Sequence, residues 1–416
     1  MERYKLGELI DVTRGASLAG DNYATEGELV RLTLGNFDYQ SNGFKQNSSK
    51  DNIFYNGEVD SSFILEEGDI ITPLTEQAIG LLGSTAKIPE SGKYIQSQDV
   101  ALVKVKSEKL VHDFAYYLLP TASVKKQLSA GAQQTSIRHT SPDKIKDCTV
   151  YIPEPTEQQK IADFLNQIEE KIAINKKENE TLEAMAKQLY DYWFIQFDFP
   201  DANGRPYKTS GGKMVWNETL KREIPEGWED KSLSELSDNE MCSIMPSSEP
   251  DKVFKHFSIP AYDACGFYEE ELGKNILSNK NVVTEHDVLV SKLNPWTSRV
   301  IWGIDDPDAI CSTEYVSLRP KSSDEKAYMF MIAKSLPFMK YCTEASTGTS
   351  HSHRRVNPDI LRMYKVPYSR NCVKAFCDMT EEFFNRITIN KTAEKELREQ
   401  RDFILPLLMT GQVSIG

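Results

Sequence analysis

The chain has no run of 18 or more apolar residues, the length a membrane-spanning helix needs. Its first residues, Met1-Glu2-Arg3-Tyr4-Lys5-Leu6-Gly7, lack the apolar stretch of a secretory signal. Both absences point to a cytoplasmic protein with no membrane partner. None of the seven cysteines (Cys148, Cys242, Cys265, Cys311, Cys342, Cys372, Cys377) stands in a C-x-x-C pair. Neither a zinc knuckle nor a redox dithiol is encoded, and ordinary reduced thiols are expected. His351-Ser352-His353 has no third ligand nearby in sequence, so a polar loop is the simpler reading and no metal site is expected. There is no G-x-x-x-x-G-K-[ST] motif, which excludes an ATP site of that kind. No G-x-G loop follows a strand, and the Asn/Asp-Pro-Pro-aromatic motif of adenine methyltransferases is missing. Its nearest match, Asn294-Pro295-Trp296, lacks the second proline. An excess of positive charge is missing too: 49 Lys and Arg face 62 Asp and Glu, a net charge of −13. That balance opposes non-specific adhesion to nucleic acid but leaves room for a local basic face.

What is present is a chain of 416 residues, 39% hydrophobic, enough for two globular domains with extended elements. It also repeats itself. Tyr4-Lys5-Leu6-Gly7-Glu8-Leu9 returns as Lys231-Ser232-Leu233-Ser234-Glu235-Leu236, and Glu66-Glu67-Gly68-Asp69-Ile70-Ile71 as Thr284-Glu285-His286-Asp287-Val288-Leu289. Ser141-Pro142-Asp143 matches Asn357-Pro358-Asp359, and Lys171-Ile172-Ala173-Ile174-Asn175 matches Arg386-Ile387-Thr388-Ile389-Asn390. The last pair is offset by 215 residues, half the chain, so each half reads as a globular domain followed by a helix. After Pro155, Thr156 and Gln159 are spaced as a capping box. Ile161, Leu165, Ile168, Ile172, Asn175, Asn179, Leu182, Ala186, Leu189 and Trp193 then step by fours and threes, a coiled-coil seam. The same offset yields Phe376, Thr380, Phe383, Ile387, Asn390, Glu394, Leu397, Arg401, Ile404 and Leu408.

Each helix should run about 55 Å. Matched lengths and registers favour pairing of the two with each other over packing of each on its own domain. Asn175 and Asn390 are equivalent seam positions that would fix register. Short β-rich runs separated by Gly, Asn and Ser clusters, with short helices near 111–119 and 327–335, make each globular part a mixed α/β domain. The expected fold class is therefore α/β (α+β): mixed domains at 1–154 and 228–371, long helices at 155–197 and 372–416 forming an antiparallel coiled coil, a joint at 198–227, and an internal pseudo-twofold repeat.

Pro155-Thr156-Glu157-Gln158-Gln159-Lys160-Ile161-Ala162-Asp163-Phe164-Leu165 and Leu189-Tyr190-Asp191-Tyr192-Trp193-Phe194 resemble the central helix of specificity subunits of type I restriction–modification systems. Phe197-Asp198-Phe199-Pro200, Gly204-Arg205-Pro206-Tyr207-Lys208 and Ser210-Gly211-Gly212-Lys213-Met214 look like that family's joint. Ile224-Pro225-Glu226-Gly227-Trp228 looks like the opening of its second recognition domain. The stretch from Leu397 to Gly411 is similar to its C-terminal helix. The resemblance spans the chain and is strongest in the helices and joint. It implies a non-catalytic subunit whose two target-recognition domains read the halves of a bipartite double-stranded DNA site, with the helices as a ruler. It also implies two methyltransferase (modification) subunits and restriction/translocase subunits as partners. S-adenosylmethionine, ATP and magnesium would reside in those partners, and no cofactor in this chain. A self-contained adenine methyltransferase and a coiled-coil tether unrelated to DNA are the other classes weighed; the missing motifs oppose the first.

Arginine reads guanine, Asn or Gln reads adenine, and Ser or Thr serves either. Loops offering such groups supply the DNA-binding candidates. They are Arg14 after the first strand; Thr72, Thr75 and Gln77, with the counterpart Lys292, Asn294, Ser298 and Arg299; and Thr135, Arg138 and His139, with the counterpart Ser350, His351, His353, Arg354 and Arg355. Taken singly, each is equally readable as a surface side chain.

Overall fold

The computed structural model describes the chain except residues 40–41, 48–49, 77–79, 132–137, 239–240, 349–352 and 416, with backbone alone at 131 and 138. Two compact units result: Met1–Ile172 with Lys395–Gly416, and Ala173–Glu394. No described helix is long and apolar enough to cross a membrane. All seven cysteines are free.

In the first unit, strand Glu2–Lys5 pairs antiparallel with Thr149–Ile152 and runs into a helical turn, Leu6–Leu9. The chain then enters a four-stranded sheet ordered Ala86–Lys87, Ile70–Pro73, Val100–Val105, Ile10–Arg14. The apolar run Val100-Ala101-Leu102-Val103 is buried on both faces, which is why it reads without alternation. On one side Ile70, Ala101 and Val103 pack with Phe114 and Leu118 of the helix His112–Leu118 and with Ile161 and Leu165. On the other, Ile71, Val100 and Leu102 join Phe37, Leu65 and Tyr94, beside a second sheet of short strands.

The second unit repeats this plan. Glu229–Ser232 pairs with Lys365–Tyr368, the turn Leu233–Leu236 follows, and the four-stranded sheet is ordered Ser237–Asp238, Tyr315–Pro320, Val288–Ser291, Val300–Trp302. Strand for strand this is the sheet of the first unit. Even the turn entering its central strand recurs: Asp69 accepts the Glu66 N–H at 3.0 Å, and Asp287 accepts the Thr284 N–H at 2.8 Å. Asp287 is fully buried; burial pushes its carboxyl up, but hydrogen bonds from Arg319, Ser317 and Thr284 hold it below the ordinary carboxylate range. The second unit is richer in strands, with a further five-stranded sheet. An aromatic cluster of Tyr190, Trp193, Phe194, Tyr328 and Phe376 fastens the joint segment to it.

The two long helices are Pro155–Tyr190, 36 residues, and Arg370–Met409, 40 residues, about 54 and 60 Å at 1.5 Å per residue. They pair antiparallel. In the first unit Glu169 meets Arg401 at 2.6 Å, and Leu408 and Met409 join the core that holds Ile161 and Leu165. In the second, Asn179 donates to Glu394 at 3.0 Å, a residue meeting its own repeat equivalent, and Asn390 donates to Glu178 and Asn179, both at 2.9 Å. Seam residues Ile161, Leu165, Ile168, Ile172, Asn175, Ile387 and Asn390 are buried; Leu182, Leu189, Phe383, Leu397 and Ile404 are half-buried.

Three local details differ from the sequence expectation. The first helical hydrogen bond runs from Gln158 N–H to the Glu154 carbonyl, so Glu154 is the N-cap and Pro155 takes the first helical position, where its missing N–H does no harm. Thr156 therefore lies inside the helix, and the Gln159 side chain turns to Asp163 instead of back to a cap. The helix leaves α geometry at Tyr190 and closes with a π turn, Asp191–Ile195, short of residue 197. The second long helix ends at Met409, short of residue 416, and across the seam Asn390 meets Asn179.

Candidate nucleic-acid interface

In each unit the segment leaving the central strand of the four-stranded sheet is laid against the segment that precedes the Ser/Asn-Pro-Asp helix. In the first unit Thr75–Glu76 pairs antiparallel with Arg138–His139, Thr75 opposite His139, and the Thr140 N–H bonds the Leu74 carbonyl at 2.9 Å. In the second, Leu293 bridges Arg355, the Val356 N–H bonds the Lys292 carbonyl at 3.0 Å, and Asn294 N–H bonds the Arg354 carbonyl at 2.8 Å. The candidate loops are thus brought together in pairs, in the same place in both repeats.

Within the first pair the side chains sort sharply. Thr72 and Thr75 are buried, and the Thr72 hydroxyl finds no hydrogen-bond partner among the described residues. Both side chains are withdrawn from solvent. Arg14 and His139 are exposed. The loop beyond is organised by Glu76, a residue the sequence did not single out. One of its carboxylate oxygens accepts the N–H groups of Gly80, Leu81 and Leu82 at 3.0, 2.8 and 3.1 Å. Gln77 and Thr135 lie outside the described residues, as does the side chain of Arg138.

The second pair is more completely drawn. Between strands Val288–Ser291 and Val300–Trp302 the chain makes a 3-10 turn, Pro295–Thr297. It is flanked by Asn294 at φ 48° and Ser298 at φ 49°, left-handed positions that disfavour residues carrying a Cβ. Arg299 lies inside this turn, only 9% exposed. Its guanidinium forks onto Asp263 at 2.6 and 2.8 Å and donates to Thr297 Oγ1 at 2.7 Å and the Leu293 carbonyl at 3.3 Å. The Asp263 hydrogen bonds raise the guanidinium's pKa against the opposing effect of burial. Arg299 is therefore a lock for the turn and not an open DNA-facing group. No sequence signal points to Asp263, 36 residues away.

Arg355 forks onto Glu314 at 3.0 and 2.9 Å. Arg354 donates to the Ser346 carbonyl at 2.6 Å and is half-buried. Lys292, Asn294 and Ser298 are half-buried and His353 is exposed, while Ser350 and His351 lie outside the described residues.

The Asn294-Pro295-Trp296 segment does not fit an adenine-methylating site. Such chemistry needs the asparagine carbonyl free to face the target amine, and here Asn294 Oδ1 accepts the Arg354 N–H at 3.1 Å. Among the described residues no three His, Cys, Asp or Glu side chains gather as a metal site.

Residues 1–184 match the family described as the type I restriction modification DNA specificity domain. The type I restriction enzyme MjaIX specificity subunit of Methanocaldococcus jannaschii is 23% identical over 322 residues, covering 75% of this chain and 71% of its own length. The HindI specificity subunit of Haemophilus influenzae is 20% identical over 376 residues, 77% of this chain and 81% of that one. In fold, the chain is similar to the crystal structure of a type I restriction–modification S subunit from M. genitalium, with a TM-score of 0.61 at 15% identity over 98% of this chain and 95% of that one. Residues 1–184 thus match the type I restriction modification DNA specificity domain, and the chain is similar in sequence to type I specificity subunits along three quarters of its length.

Proposed function

We propose that this chain is the DNA-recognition subunit of a type I restriction–modification complex, with target-recognition domains at 1–154 and 228–371. The observation that carries the reading is the recurrence, in both units, of one loop pair at the end of the same central strand, in a chain whose first 184 residues match a DNA specificity domain. Two such loop pairs suit a bipartite double-stranded site, each reading one half. The long helices, Pro155–Tyr190 and Arg370–Met409, serve as the platform for two methyltransferase subunits, with restriction/translocase subunits joining the complex. Methyl transfer with S-adenosylmethionine, and the ATP- and magnesium-dependent steps, belong to those partners. A self-contained methyltransferase is disfavoured because Asn294 Oδ1 already accepts the Arg354 N–H of the facing loop.

Co-expression with a methyltransferase subunit tests this. Host DNA should gain methylated adenines in a two-part motif, and the isolated chain should neither bind radiolabelled S-adenosylmethionine nor methylate DNA. Exchanging residues 1–154 for another recognition domain should change one half of the motif only. Methylation by the isolated chain, or a change in both halves, would overturn the reading.

A further inference from the structure

We infer that Trp296 is a specificity-determining residue whose indole makes apolar contact with the 5-methyl group of a thymine in the half-site read by residues 228–371. The inference rests on the reading of the chain as a DNA-recognition subunit.

Trp296 is 40% exposed at the tip of the locked turn. That exposure is built in. Pro295 is buried beneath it, in a seam shared with Phe338, Met339 and Cys342 of the helix Leu336–Glu344. The flanking Asn294 and Ser298 are held left-handed, and Thr297 returns its N–H and its hydroxyl to the Asn294 carbonyl at 3.0 and 2.7 Å. Two antiparallel strands can be joined by a two-residue loop. This connection uses residues 292–299, encloses an arginine, and keeps two strained positions to display one aromatic ring. Strain retained at a surface is characteristic of binding sites.

The surroundings suit a polyanion. The two carboxylates hydrogen-bonded into this loop pair, Asp263 and Glu314, are each forked by an arginine, Arg299 and Arg355. Lys292 stands on the same loop.

The ring's own chemistry selects the contact. Apart from its one N–H donor, an indole offers only apolar surface, and the thymine methyl is the apolar group on the major-groove edge that such surface can contact. With more than half of its surface covered, Trp296 does not project as a wedge that separates stacked bases would.

The test uses the complex with a co-expressed methyltransferase subunit, carrying the wild-type chain, W296A or W296F. Mapping of methylated adenines should show that W296A accepts another base at one position of one half-site, with the other half unchanged, and that W296F keeps the wild-type motif. In binding assays each thymine of that half-site is replaced in turn by deoxyuridine. The wild type should lose about fourfold in affinity at one position, the value of one methyl group, and W296A should lose nothing there. A half-site with no thymine, no deoxyuridine-sensitive position, or a penalty that persists in W296A overturns the inference. The deoxyuridine series on the wild type needs no variant, so a misfolded W296A leaves it decisive. A wild-type complex that methylates no motif overturns the recognition reading, and this inference with it.

Discussion

Replacing Arg299 by alanine should unlock the recognition turn without removing a contact to DNA. Arg299 makes four hydrogen bonds within its own loop region. Asp263 is half exposed, at 49%, so solvent screening reduces that forked pair to about 1 kcal/mol. The bonds to Thr297 and to the Leu293 carbonyl add about 1 kcal/mol each. About 3 kcal/mol thus holds the turn closed. Against it stand the left-handed conformations of Asn294 and Ser298, which together cost about 2–4 kcal/mol. Without Arg299 the balance tips toward opening, and at about 1.4 kcal/mol per decade the opening equilibrium rises by about a hundredfold.

Hydrogen exchange reads this directly. The N–H groups of Asn294, Thr297 and Ser298 are bonded within the turn, to the carbonyls of Arg354, Asn294 and Pro295. They should exchange about a hundred times faster in R299A, while strand Val288–Ser291 is unaffected. DNA affinity of the complex should fall, because only the closed fraction binds, yet the salt dependence should not change. A lost phosphate contact would instead flatten the salt slope by about 0.9. A flattened slope with unchanged exchange would refute the lock and return Arg299 to the DNA surface.

Three further outcomes follow from the buried polar groups. N390L removes the donor that Glu178 and Asn179 share, and should destabilise the chain by about 1–3 kcal/mol in urea unfolding; an unchanged or higher midpoint would show that the network adds nothing. Gln158 is fully buried and bonds Val111 N–H and the carbonyls of Lys109 and Pro153, so Q158L should cost about 2–4 kcal/mol, read as a fall in thermal midpoint. Lys326 lies 3.6 Å over the Trp302 ring, and burial lowers its pKa from the ordinary 10.5 to about 7. Between those values the unfolded chain binds the proton more tightly than the folded one, so the stability of the wild type relative to K326M should rise with pH from 7 to 10 and be flat below 7; a difference independent of pH would exclude the shift.

The repeat was legible because it is carried by short local patterns. The turn before the central strand needs an acidic residue to accept an N–H three positions back, and Asp69 and Asp287 announce it in both halves. The seams were legible because a period of 3.5 identifies a buried face. That period is silent on axial register, so it put both Asn179 and Asn390 on the seam but not against each other, a contact set by where the antiparallel helices meet. The candidate loops were legible as segments; the sequence matched each to its counterpart in the other half, and the structure lays the two loops of one unit against each other, in the same way in both units. What the sequence withheld was which side chains point inward. Thr72, Thr75 and Arg299 carry polar groups that look free on paper. Their burial depends on strands covered on both faces in the first two cases and on Asp263, 36 residues distant, in the third. The cap at Glu154 was missed for a plainer reason: Pro155 at the first helical position competes with Thr156 for the helix start and wins.

The acidity of the chain, net −13, bears on how such a subunit reads a polyanion. Around the second loop pair the carboxylates are neutralised internally, Asp263 by Arg299 and Glu314 by Arg355. In the first, Glu76 is capped by three backbone N–H groups. The same bonds that quench the negative charge withdraw two arginines from service to phosphate. Among the described residues the loops then present neutral donors, the indole of Trp296 and few unpaired cations such as Arg14 and Lys292. On the proposed function this division separates specificity from affinity. Each neutralised phosphate steepens the salt dependence by about 0.9, so the few free cations among the described loop residues add a slope of only about two to three. Most of the salt dependence of the assembled complex would then come from the methyltransferase subunits. Charge-neutral substitutions in these loops should accordingly change which sequence is bound far more than how binding responds to salt.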